Sequence, residues 1–310
     1  MVGEIAGLKF SSGAATTVGK VRKANEDAFL TRLGAYVVAD GMGGHQAGDV
    51  ASRLVVEAVS DALNDGVPSL GSLATMIDAS NAAIRAFAAD VEGRVMGSTL
   101  VGVFCARNAD DHSLVVVNVG DSRCYSLTER GLQQVSVDHS QVQELVAAGR
   151  LSSEEAKHHP ERNVVTRAIG ADASVVGDYF MLSMEAPMRL LLCSDGVSGE
   201  LDDERISRLL LATPDPQRAA EGLIDEVMLG RAADNATAVV IDFEPVMVQT
   251  PSSDVASTSS GTDLDVTAPR NVGPPHDETT RTVISDVPHV QEGPRSADEL
   301  VPLIDGVPDE

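Results

Sequence analysis

Three apolar runs in this chain each end in an aspartate followed by a glycine or a serine: YVVADG at Asp40 and Gly41, VNVGDSR at Asp121, and LLLCSDG at Asp195. A fourth carboxylate, Asp234 in AADNATAVVIDF, opens such a run instead of closing it. Taken singly, each is turn chemistry, because Asp and Gly end strands well. Taken together, on segments otherwise apolar, they imply acids gathered at one rim of a buried sheet core. Neighbouring carboxylates repel one another and lose hydration, so such a rim is costly unless a cation sits between them.

The runs themselves are strand length. Tyr36 to Ala39, Thr99 to Ala106, Leu114 to Val119, Arg123 to Leu127, Arg189 to Cys193 and Ala236 to Phe243 are β-branched or apolar and bounded by Gly, Asp, Ser or Asn. Helical spacing of apolar residues predicts helices over Ala47 to Asn64 and Leu70 to Val91, with more at Gln141 to Ala148, Asp203 to Leu211 and Pro216 to Leu229. Strands clustered in runs, with helices grouped between them, favour an α+β fold over a doubly wound parallel sheet.

The composition breaks near Phe243. Residues 244–310 hold nine of the 14 prolines, no aromatic, no lysine, and 13 acids against three arginines. Such a segment buries too little apolar surface to offset its ordering entropy, so a disordered acidic tail is expected after a catalytic-size domain over residues 1–243. Aromatics make up only 3% of the chain and Trp is absent, so its core should be built from Ala, Val and Leu. The formal charge of −24 argues against nucleic acid and against an anionic membrane surface as partners. Cys105, Cys124 and Cys193 lie far apart in apolar surroundings, as buried thiols of a reducing compartment do. The N-terminus lacks a signal-peptide pattern and no run spans a membrane, so a cytoplasmic monomer is expected.

Oxygen-only ligands, with no His or Cys at metal spacing, select Mg²⁺ or Mn²⁺ over zinc, which makes a two-metal site for phosphate chemistry plausible. The segment Lys20 to Asp27 sets a basic patch directly before Glu26 and Asp27. On its own it is a solvated loop with internal ion pairs; in a phosphate site, Arg22 offers a planar two-donor fork and Glu26 orders water. The Gly-rich stretch Gly41 to Gly48 lacks the GK[ST] of a phosphate loop, and none of the seven histidines falls in a metal motif, so structural or surface roles are expected for them.

The segments RKANEDAF, VVADGMGGHQAGDVAS, GSTLVGV, VNVGDSRCY, DHSQVQELVAAG, HPERNVVTRAIG, LLLCSDGVSG and DNATAVVI occur in an order that resembles the metal-dependent protein phosphatases (PPM, the type 2C serine/threonine phosphatases), most closely the bacterial branch. The resemblance runs from about Gly13 to Phe243. It implies a four-layer αββα sandwich of two antiparallel sheets flanked by helices, hydrolysing phosphoserine and phosphothreonine through a water bridging two Mn²⁺ or Mg²⁺ ions. By the same resemblance Asp40 would bridge both ions, the Gly41 carbonyl would ligate one, and Asp195 and Asp234 would hold the other. Glu26 would act through coordinated water, Arg22 would grip the substrate phosphate, and Asp121 with Asp195 matches a third, weaker ion. Its implied partners are phosphoproteins and the bacterial serine/threonine kinases that make them.

Two departures from the family pattern stand out. Animal relatives place a histidine where this chain has Met42, which cannot donate a proton, so the leaving-group proton must come from metal-bound water or another neighbour. Some relatives carry a further aspartate where Gly199 stands here, which bears on the third ion alone. Residues 138–170 resemble the variable flap beside the cleft. Two other functions compete: a non-catalytic binder of phosphorylated partners, which loss of a ligand carboxylate would signal, and a nuclease or phosphodiesterase, which the negative charge disfavours. In the tail, Thr279, Thr280 and Thr282 sit among acids before Val283 and Ile284, a pattern that a phosphothreonine-reading partner would recognise after modification.

Overall fold

The computed structural model describes residues 2–246 apart from 44–46, 65, 91–94, 109–110, 183 and 185. The tail beyond residue 246, with Thr279, Thr280 and Thr282, lies outside the described residues, as do Val91 and His45.

Two six-stranded antiparallel sets face each other. The first runs in the order β1 (Val2–Ile5), β2 (Leu8–Thr17), β12 (Ala236–Pro245), β11 (Met188–Cys193), β8 (Arg123–Thr128) and β9 (Gly131–Gln134). The second runs β10 (Asp178–Leu182), β7 (Asp111–Val119), β6 (Leu100–Asn108), β4 (Ala35–Gly43) and β3 (Asp27–Arg32), with β5 (Met96–Ser98) paired to the far end of β4. Helices α1 (Ala47–Ala62) and α2 (Leu70–Ala89) cover the second sheet, and α5 (Asp195–Ser198), α6 (Asp203–Ala212) and α7 (Pro216–Leu229) cover the first. The short helices α3 (Gln141–Ala147) and α4 (Ser153–His158) lie between β9 and β10 in the chain. The architecture is the α+β, four-layer αββα sandwich.

Burial on both faces explains why the central strands read as unbroken apolar runs instead of alternating ones. Along β4, Ala35, Val37 and Ala39 pack under the helices, while Tyr36 and Val38 point to the opposite sheet. There they meet Phe10, Val101, Leu114, Leu190, Val239 and Phe243. Each buried aliphatic side chain of this kind contributes about 1.5–3 kcal/mol. The core is largely small aliphatic, with Tyr36, Tyr125, Phe10, Phe104 and Phe243 its largest fully buried side chains. All three cysteines are buried and unbridged.

Helix ends follow their caps. Asp202 accepts from the Arg205 N–H to start α6, and Asp215 from the Arg218 N–H to start α7 ahead of Pro216. Strand β12 continues to Pro245, two residues past the composition break, and the Val246 N–H donates to Gly7 O. Among the described residues no helix is long and apolar enough to cross a membrane.

The register decides where the acids fall. Asp27 pairs with Asp40, Leu100 with Val119, and Cys193 with both Ala238 and Arg123. The ends of β4, β7 and β11 and the starts of β3 and β12 therefore lie at one end of the sandwich.

Candidate active site

Asp40 sits in β4 just before Gly41. Its backbone N–H donates to Thr99 Oγ1 at 2.9 Å, and its carbonyl accepts from the Thr99 N–H at 2.9 Å and from Ser98 Oγ at 3.1 Å. Thr99 is itself bonded to Ser122, beside Asp121, at 2.7 Å. Gly41 must be glycine for want of room: a Cβ there would stand 1.9 Å from Gly48 O and 2.6 Å from Glu26 O. Its N–H donates to Glu26 O at 3.1 Å, which fastens the Arg22–Glu26 loop to β4.

Asp195 opens the one-turn helix α5 immediately after β11. A Cβ on the next residue, Gly196, would meet Asn235 O at 1.9 Å, so α5 and the start of β12 pack backbone to backbone. Asp234 precedes Asn235, whose Oδ1 accepts from the Glu26 N–H and whose Nδ2 donates to Val18 O and Ala24 O. One buried amide thus holds the Arg22-bearing loop against the Asp234 turn. Arg22 Nη2 reaches Asp234 Oδ2 at 2.6 Å.

The structure brings Glu26, Asp40, Asp121, Asp195 and Asp234 to the same end, with Arg22 on the rim. It adds Asp27, which sequence reasoning passed over as the second acid of a charged loop. Asp27 Oδ2 accepts from Ser194 Oγ at 2.8 Å and Thr237 Oγ1 at 2.7 Å, whereas Oδ1 is buried without a partner. Burial first, then repulsion from Asp195 and Asp234, pushes the Asp27 carboxyl up to about 7. Burial and the charges of Asp195 and Asp138 do the same for Asp121, also to about 7. Asp40 and Asp195 are raised too, first by burial and then by neighbouring acids, Asp27 and Asp195 foremost for Asp40 and Asp234 for Asp195. Glu26 is raised by burial, against the pull of Arg22, and by Asp49 and Asp234.

Among the described residues no three acidic, histidine or cysteine side chains stand close enough together, as placed, to hold a metal ion. The donor set nonetheless fits a hard divalent cation. It offers oxygen alone, its carboxylates repel one another at close quarters, and Asp27 Oδ1 lacks a partner. Met42 extends along β5 opposite Gly97 and brings no proton donor, and Gly199 caps α5 through its N–H to Asp195 O at 2.7 Å. His139, expected to be structural or at the surface, is 7% exposed and bonded to Gly120 beside Asp121.

The Protein phosphatase 2C family profile matches residues 20–225. The serine/threonine protein phosphatase PstP of Mycobacterium tuberculosis strain H37Rv is 38% identical over 257 residues, covering 81% of this chain and 48% of PstP. The chain therefore spans about half the length of this mycobacterial relative. The serine/threonine phosphatase stp of Listeria monocytogenes strain EGD-e is 34% identical over 239 residues, covering 73% of this chain and 93% of stp. Among solved structures, the PstP catalytic domain in complex with two manganese ions superposes with a TM-score of 0.68 at 37% identity, covering 76% of this chain and 99% of that one.

Proposed function

The chain belongs to the protein phosphatase 2C family, and on that premise we propose that it is a metal-dependent serine/threonine protein phosphatase acting on phosphoserine and phosphothreonine. The observation that carries this reading is the convergence of Asp40, Asp121, Asp195 and Asp234 at one end of the sandwich, with Arg22 bonded to Asp234 at its rim.

Asp40, the Gly41 carbonyl, Asp195 and Asp234 would hold two Mn²⁺ or Mg²⁺ ions, with Asp121 and Asp195 facing a third. The ions would supply Lewis acidity, lowering the pKa of water at the site and offsetting charge on the phosphoryl group. Glu26, fixed at its backbone by Asn235, would orient water over the acids. Arg22 gives a rigid guanidinium fork that matches a phosphate dianion in a chain otherwise strongly acidic. Thr99, Ser98 and Ser122 hold the Asp40 backbone in place, so little reorganisation is needed when substrate arrives. The substrates would be phosphoproteins made by bacterial serine/threonine kinases, and the tail would present a phosphothreonine motif to a partner.

The test is phosphate release from a phosphothreonine peptide by the purified chain, with Mn²⁺ and with excess chelator. Manganese-dependent release is expected; turnover undiminished by chelator would overturn the reading.

A further inference from the structure

His139 uses all four of its polar groups, and they run to three separate segments. Its backbone N–H donates to Gly120 O at 2.9 Å, and its ring Nδ1 accepts from the Gly120 N–H at 3.0 Å. Its carbonyl accepts from the Thr166 N–H at 2.9 Å. Its Nε2 lies 3.2 Å from Asp178 Oδ2 on β10. The Gly120 N–H takes the Nδ1 lone pair, which turns Nε2 to the side where Asp178 Oδ2 and Arg167 Nη1 stand. Arg167 Nη1 stands beside the ring at 2.9 Å and directs its own hydrogens to Asp178 Oδ1 at 2.7 Å and Val176 O at 3.1 Å.

The two ends of this bridge differ in what they touch. Gly120 immediately precedes Asp121, at the acidic end of the sandwich. Thr166 and Arg167 belong to the return arm of the segment bearing α3 and α4. That arm pairs with β5 through reciprocal Ser98 and Ile169 bonds of 2.9 Å, and Ser98 in turn pairs with Gly41. The arm is thereby hung between β5, beside Gly41, and the Asp121 turn, with a 7%-exposed imidazole as the link.

We infer that His139 is a positioning residue with two separable duties: its Nδ1 end sets the Asp121 turn for catalysis, and its Nε2 end, through Asp178 and Arg167, sets the 141–167 arm for phosphopeptide binding. The inference rests on the phosphatase reading for its kinetic consequences, while the physical bridge is measurable without activity.

Two variants of the full chain divide the duties. His139→Asn keeps an acceptor near the Nδ1 position and gives up the reach to Asp178. His139→Gln carries an amide to the Nε2 position and gives up the acceptor for Gly120. For His139→Asn the phosphothreonine-peptide KM should rise about fivefold, with kcat and p-nitrophenyl phosphate turnover within about twofold. Trypsin should also cut faster after Arg150, Lys157 or Arg162. For His139→Gln, kcat should fall about tenfold on both substrates with unchanged trypsin sensitivity in the arm. Asp178→Asn, which leaves the imidazole in place, should reproduce the His139→Asn pattern and covers the case in which a His139 variant fails to fold. Equal losses from both His139 variants on both substrates, or no change in either, would overturn the inference. Should the unmodified chain prove inactive with Mn²⁺, the functional reading fails, and the trypsin contrast between the variants decides the bridge by itself.

Discussion

Arg22 Nη2 stands 2.6 Å from Asp234 Oδ2, so the residue proposed to grip phosphate is bonded to one proposed to hold metal. Both side chains are more than a third exposed, at 49% and 39%, and solvent screening leaves such a pair with little weight in stability. Arg22→Ala should therefore leave Tm nearly unchanged while raising the KM for phosphopeptide about tenfold, because the interaction with the dianion already exists in the ground state. Steady-state kinetics beside a thermal melt check both halves. A fall in kcat at constant KM would take the phosphate away from Arg22.

The acids at the rim work against the metal-free fold. Asp27 and Asp121 rise from 3.8 to about 7 in the folded protein. Between these values the native state holds protons that the unfolded chain has released, so the slope of stability against pH is negative there. In chelator, stability should be greatest near pH 4 and decline until about pH 7, by at most about 4 kcal/mol for Asp121 alone. Mn²⁺ should restore it at pH 8. Asp40→Asn or Asp195→Asn should flatten the decline and cut turnover by about 10²-fold or more. Urea melts across pH, with and without Mn²⁺, measure this; stability rising from pH 4 to pH 7 in chelator would contradict it.

Asn235 is 4% exposed and joins the Glu26 N–H, Val18 O and Ala24 O in one place. Asn235→Ala would orphan these backbone groups and should cost about 2–4 kcal/mol. It should also slow turnover by loosening Glu26 and Arg22 together, and Asn235→Asp should recover only the bond to the Glu26 N–H. Denaturant midpoints and kcat/KM on the two variants test this, and a stability loss with kinetics unchanged would detach Asn235 from the site.

Asp40, Asp121, Asp195 and Asp234 were legible in the sequence because each borders a mostly apolar run, and burial on both faces keeps those runs almost free of other charge. Strand β2 was not legible: FSSGAATT looks like a loop until Thr16 Oγ1 meets Thr237 Oγ1 at 2.7 Å and Ser12 is buried. Thr16, Thr17 and the Ala14 backbone bond to Thr237, Met228 and Gln217, more than 200 positions away, and local pattern carries no trace of that. Asn235 and His139 escaped for the same reason. Each acts through backbone groups distant in sequence, whereas a motif search asks only what lies nearby. Helix α4 was missed in a polar stretch, and only its capping box, Ser152 with Glu155, was available as a signal.

The last expectation concerns where the catalytic unit ends. The composition break at residue 243 would invite a cut there, but β12 pairs through Glu244 and Pro245 with Lys9 and Leu8, and Val246 is bonded to Gly7. Removing residues 244–246 would expose Phe243 and Phe10, which pack ring against ring at 6.2 Å in the layer between the sheets. A cut after Val246 should instead leave kcat/KM on a short phosphopeptide within about threefold, because that ratio reports transition-state stabilisation at the acidic end of the sandwich. A cut after Phe243 should lower Tm by several degrees, on the order of 2–4 °C for each kcal/mol lost. Phosphosite mapping of the full chain after incubation with a serine/threonine kinase tests the tail itself: phosphate on Thr279, Thr280 or Thr282 is expected if it docks a phosphothreonine-reading partner. A large loss of peptide activity on cutting after Val246 would instead make residues 247–310 part of the catalytic unit.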